Sequence, residues 1–153
     1  MVRSLAVVFA LVIPLWFFGQ ASSSDSKKIR PVDPTEALQA FAADTKAPVP
    51  TAPAGYVVNV VAYEQGALRI GYVHGDDYQE FAGGSGAAFL STYAGKGSVE
   101  GTVDVAGVTW QRYVGNDGHV SLVRQVSGTT LLVGGVRENV TDAELIALAS
   151  TVR

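Results

Sequence analysis

The chain has 153 residues, with 11 Lys plus Arg against 14 Asp plus Glu and no cysteine. That length suits one domain, and a net charge of -3 without a basic cluster beyond Lys27, Lys28 and Arg30 argues against a nucleic-acid partner. The lack of cysteine excludes disulfides, thiol catalysis and thiolate metal sites, and leaves the redox compartment open.

Arg3 precedes an unbroken apolar run from Leu5 to Phe18. As a helix the run would reach roughly 21 Å, and residues 1–20 about 30 Å if Arg3 snorkels, close to a hydrocarbon core. Two readings compete. Gly19-Gln20-Ala21 would suit the end of a cleaved signal peptide, whereas Trp16, Phe17 and Phe18 would suit the edge of a retained membrane anchor. Bulky aromatics stand where a signal peptide turns small and polar, so residues 1–20 are read as an anchor and 21–32 as a polar tether. Charge alone gives the opposite orientation to an outward domain, since Lys27, Lys28 and Arg30 follow the segment and only Arg3 leads it.

Asp33-Pro34-Thr35-Glu36 reads as a helix start, with Asp33 as N-cap, Pro34 in the first turn and Glu36 reaching back. Ala37, Leu38 and Phe41 give this helix a narrow apolar face, and it should end near Asp44. Pro48, Pro50 and Pro53 then impose an extended connector lying on the domain. Strands are predicted over 56–63, 67–74 and 77–82, separated by Glu64-Gln65-Gly66 and Gly75-Asp76. Gly83-Gly84-Ser85 should break the third strand, and 86–94 should form a short helix ended by Gly95 and Gly97. Four more strands follow at 101–105, 108–114, 119–126 and 129–136, joined by tight turns that demand antiparallel pairing. Thr141-Asp142-Ala143-Glu144 is a capping box, and Leu145, Leu148, Ala149 and Val152 make the final helix amphipathic. The expected architecture is α+β: an N-terminal transmembrane helix, then one antiparallel sheet of about seven strands with helices mainly on one face. Residues 33–153 form a single domain.

The sequence resembles an actinobacterial membrane-associated family, DUF4245. The matching residues are Met1-Val2-Arg3-Ser4-Leu5 ahead of the apolar run, then Pro50-x-x-Pro53-x-Gly55-Tyr56 and Arg69-Ile70-Gly71-Tyr72. They continue with Val108-Thr109-Trp110-Gln111-Arg112-Tyr113, Leu122-Val123-Arg124 and Thr129-Thr130-Leu131-Leu132-Val133-Gly134-Gly135. The family often has Trp where Tyr56 stands. The resemblance implies a membrane anchor, an outward-facing small domain, and further basic residues ahead of the anchor, as from a start upstream of Met1. It brings no catalytic residues with it.

Chemistry-bearing residues are sparse. His74, Asp76 and Asp77 are the densest set of potential metal ligands, but a metal wants three or four converging groups, and a polar hairpin turn explains the same letters. Gly83-Gly84-Ser85-Gly86 lacks the lysine and spacing of a phosphate loop, and Ser85 suffices as a helix cap. His74 and His119 are the candidate bases of a hydrolase, without a nucleophile elbow to serve. Asp76, Asp77 and Glu80 read as a solvated edge rather than as paired glycosidase acids. Tyr72, Trp110 and Tyr113 are the candidates for an apolar ligand groove, with sheet packing as the ordinary alternative. The expected function is a membrane-tethered, non-enzymatic binding or interaction domain of the cell envelope, with no cofactor. Its expected partners are the membrane, through 1–20, and an envelope protein or an apolar ligand. The alternatives are a carrier of an apolar ligand, or a hydrolase using His74 or His119.

Overall fold

A computed structural model describes residues 29–136 and 138–153. Seven strands, β1 (Val57–Glu64), β2 (Ala67–His74), β3 (Asp77–Gly84), β4 (Gly97–Val105), β5 (Val108–Gly115), β6 (His119–Val126) and β7 (Thr129–Val136), form one sheet. The spatial order is β1-β2-β3-β7-β6-β5-β4, with every neighbour antiparallel. Two meanders therefore meet where β3 pairs with β7, and the α+β reading of the sequence holds. The expected transmembrane helix lies outside the described residues; among those described, no helix is long and apolar enough to cross a membrane.

Three helices flank the sheet in the described residues: α1 (Thr35–Thr45), α2 (Phe89–Ala94) and α3 (Asp142–Ser150). α1 and α3 cover one face, where Phe41, Leu68, Ile70, Tyr72, Phe81, Trp110, Leu131, Leu145 and Leu148 make the main core. α2 lies on the other face, over Ala82, Tyr113, Val123 and Leu132. The pleat assigns each residue to its face. One register row, Val61–Ile70–Phe81–Val133–Leu122–Arg112, runs across the core face. The next, Ala62–Arg69–Ala82–Leu132–Val123–Gln111–Thr102, runs across the opposite one.

The capping box at α3 is present in full: Glu144 N–H donates to Thr141 Oγ1 at 3.3 Å, and Thr141 N–H donates to Glu144 Oε2 at 2.7 Å. Leu145, Leu148, Ala149 and Val152 are buried, as their spacing requires. Arg112, which spoils the apolar pattern of β5, reaches the rim of the core face and pairs with Glu100 at 2.9 Å and Asp142 at 3.4 Å. The proline-rich connector lies against the C-terminus, with Val49 and Arg153 exchanging both backbone hydrogen bonds.

Four local expectations are corrected. Pro34, not Asp33, occupies the cap position of α1, and the Asp33 carboxylate instead accepts from Thr35 N–H at 2.9 Å, one residue earlier than the capping-box pattern places it. Ser85 caps nothing, because α2 begins at Phe89 behind Ala88. Gly83 and Gly84 do not break β3. They continue it, because each accommodates an aromatic ring from a helix: a Cβ on Gly83 would lie 2.4 Å from Phe41 Cζ, and one on Gly84 would lie 2.6 Å from Phe89 Cε2. β4 likewise starts at Gly97 rather than 101, with a bulge between Val99 and Gly101.

Gly83→Ala is therefore expected to displace Phe41 and destabilise the domain by about 1–3 kcal/mol, the usual range for overpacking. Urea unfolding checks this; an unchanged midpoint would refute the seating of Phe41 on Gly83.

Candidate functional site

α2 has only six residues, and the sheet face it sits on extends well beyond it. Beside it lies a half-open groove of about 780 Å³. The floor crosses four strands, with Thr102 on β4, Thr109 and Gln111 on β5, Gln125 on β6 and Thr130 on β7. Ala87 and Leu90 supply an apolar wall, and Val123 an apolar patch on the floor. These side chains stand here because they alternate with the core: Thr109 and Gln111 flank Trp110, and Gln125 lies opposite Thr130. Arg124 also lines the groove and is its one ionisable lining residue, but its guanidinium carbon stands 5.9 Å from the centre of the Trp110 ring. That places the charge towards the core face.

A second polar group occupies the same face near β2 and β3. Glu80 is only 6% exposed, and Arg69 Nε and Nη2 donate to its Oε2 at 3.0 and 2.8 Å. Glu80 thus lies in a row with Gly71, Gly134 and Ser121 rather than at the solvated edge that the sequence suggested. The glycines leave room: Tyr78 Oη and Asn59 Oδ1 would each be 2.8 Å from a Cβ on Gly71, and Ser121 Oγ 2.6 Å from one on Gly134. Burial and the Glu80 carboxylate push the Tyr78 phenol up to about 12.

The residues singled out from the sequence are dispersed. Tyr72 and Trp110 are buried in the main core, and Tyr113 is buried on the other face, its hydroxyl donating to Gly95 O at 3.0 Å. The three do not line one site. Burial raises the Tyr72 phenol well above its ordinary value. Asp76 is exposed and Asp77 half-buried in the β2–β3 turn. Among the described residues, no three His, Asp or Glu side chains gather closely enough to hold a metal ion. His74 is exposed and its ring leans on Tyr56, with centroids 5.2 Å apart. Tyr56 Oη accepts from Gln79 Nε2 at 2.8 Å and donates to Glu144 Oε1 at 3.3 Å, which ties the connector, β3 and α3 into one corner. His119 Nδ1 stands 3.2 Å from Asp117 Oδ2 outside hydrogen-bonding geometry. Among the described residues, no hydrogen bond joins either histidine to a serine or threonine hydroxyl.

The model of a family of proteins of unknown function, DUF4245, matches residues 1–152. The chain belongs to this family. No curated protein and no solved structure matches it.

The groove residues do not stand out in the sequence, because the aromatic residues of the same strands are the more conspicuous candidates. The signal was present as the polar residues that alternate with Trp110 and with Leu122 and Arg124, namely Thr109, Gln111 and Gln125. The Arg69–Glu80 pair was legible only in part, as opposite charges in two strands of one hairpin meander.

Two measurements probe these groups. Removing the Arg69 guanidinium strands a buried carboxylate, so Arg69→Met should cost on the order of 3 kcal/mol. Glu100→Gln, at an exposed pair, should cost less than about 1 kcal/mol; equal losses in denaturant titrations would contradict the burial of Glu80. The second concerns pH. The Thr141 backbone N–H, and then its hydroxyl, hold the Glu144 carboxyl below its ordinary value. A depressed carboxylate stabilises the fold above its unfolded pKa, and that stability is lost as pH falls through the folded value. Melting temperature should fall on acidification below the ordinary carboxylate range, and Glu144→Gln should flatten that dependence. An unchanged acid limb in the variant would show that Glu144 does not contribute.

Proposed function

We propose that this DUF4245 protein is a membrane-tethered, non-enzymatic binding domain of the cell envelope, and that it binds through the open sheet face beside α2. The observation that carries the reading is the groove itself. It is half-open and lined by hydroxyl and amide side chains on a rigid sheet, with one short helix as a wall. Rigid strands present such groups at fixed spacing, which is what recognition of a partner needs. The apolar run Leu5–Phe18 and the polar stretch after it supply the tether. An outward orientation follows the family resemblance, against the weight of Lys27, Lys28 and Arg30.

The carrier alternative finds less support, because the layer between the sheet and α1 and α3 is filled by Phe41, Tyr72, Phe81 and Trp110. A hydrolase would need a nucleophile beside His74 or His119, and neither histidine has a hydroxyl partner among the described hydrogen bonds.

The test uses the full chain in cells. A photo-crosslinking side chain at Gln111 should give discrete adducts to envelope components, and one at Glu64, on the far edge of the sheet, should not. Protease added to intact cells should digest the domain while the protein stays with the membrane fraction. Adducts from Glu64 alone would place binding elsewhere; a protected domain would mean it faces inward, and a protein free of the membrane would sink the tether.

A further inference from the structure

The geometry points to an uncharged, hydroxyl-rich chain, a neutral oligosaccharide segment lying across the strands, as the occupant of the groove. The inference rests on the reading of that groove as the binding surface and adds the chemistry of its ligand.

Three observations support it. First, the floor offers one or more hydroxyl or amide groups per strand: Thr102, then Thr109 and Gln111, then Gln125, then Thr130. Each is donor and acceptor at once, as a sugar hydroxyl is. Adjacent strands lie about 4.8 Å apart, close to the rise per unit of an extended hexose chain, so successive units would meet successive strands. Second, the groove carries little charge of its own: Arg124 is the one ionisable residue in its lining. None of its lining residues is acidic, and Arg124 is directed to Trp110. Asp104, paired with Thr109 on the same face, donates nothing to an anion and caps Gly107 N–H at 3.0 Å. A polyanion would meet that carboxylate, while the guanidinium of Arg124, the one cation in the lining, is turned to the Trp110 ring. Third, Leu90 and Ala87 make an apolar wall along one side, which suits the C–H face of a pyranose ring.

A peptide fits less well. Extended peptides gain their affinity by adding to a sheet edge or by filling pockets with alternate side chains. This floor is the face of the sheet, and its apolar wall, Ala87 and Leu90, lies to one side rather than in separate pockets.

The test is equilibrium binding to the full chain in micelles of a zwitterionic detergent, since sugar-headed detergents would compete. The probes are maltohexaose, cellohexaose and N-acetylchitohexaose, with a uronate-containing hexasaccharide and a glycine–serine hexapeptide alongside. At least one neutral sugar should bind saturably, about tenfold or more tighter than either control, equivalent to about 1.4 kcal/mol. Gln111→Leu with Gln125→Leu should weaken that binding about tenfold or more, again roughly 1.4 kcal/mol. Ala87→Trp, which fills the groove from the loop and leaves the sheet untouched, should do the same if the double variant fails to fold. The proposal is overturned if no neutral sugar binds, if the uronate sugar or the peptide binds as tightly, or if both groove variants leave affinity unchanged. Adducts from Gln111 in cells, together with no sugar binding, would overturn the ligand class and leave the binding-domain reading standing. Absence of both would remove the two together.

Discussion

Two consecutive glycines hold this fold together. Gly83 and Gly84 point to opposite faces of β3, and each receives a phenylalanine ring from a different helix. Phe41 descends from α1 onto Gly83, and Phe89 from α2 onto Gly84. Any side chain at either position would occupy the volume of a ring. β3 also joins the two meanders through its pairing with β7, so the point at which the sheet is clamped from both sides is also where its halves meet. Phe41 continues inward, edge to face, with Phe81 at 6.4 Å and Tyr63 at 6.1 Å, contacts of the geometry that aromatic pairs favour.

That clamp divides the labour of the two faces. The core face takes two helices and most of the large apolar side chains, including Tyr72 and Trp110. The other face receives one short helix, so its remaining surface has to live with water and carries Thr, Gln and an ion pair instead. Tyr72 and Trp110 are thereby committed to stability. The hydroxyls and amides that alternate with them are left on the accessible face.

Much of this was legible in the sequence. Turn residues placed every hairpin, because Gly at positions such as Gly66, Gly107 and Gly128 adopts the positive φ that such turns need. The T-x-x-E box and the spacing of Leu145, Leu148 and Val152 fixed the last helix. What failed was the meaning of Gly83-Gly84. Glycine pairs ordinarily break strands, and only a tertiary partner, here a ring on each side, turns the pair into a packing device. The position of Glu80 was hidden for the same reason: a lone acid beside Asp76 and Asp77 looks solvated until the register brings Arg69 across from Ala82, one step away. The groove was harder still, since no single residue announces it. It arises where four strands bring together side chains that are unremarkable singly.

The edges of the sheet offer a partner less than the face does. An antiparallel sheet can recruit a partner through unpaired backbone at an edge or through side chains on a face. At one edge, β1 is partly occupied, since Val32 N–H donates to Val58 O at 2.9 Å, and β1 itself carries a bulge between Val58 and Val60. At the other edge, β4 is exposed along most of its length but is interrupted by the bulge between Val99 and Gly101. Glu100 sits in that bulge and is held by Arg112. A bulge breaks the even spacing of donors and acceptors that an added strand must match, and a charge beside it discourages pairing further. With both edges blunted, the regular array that remains accessible is the row of side chains on the face beside α2.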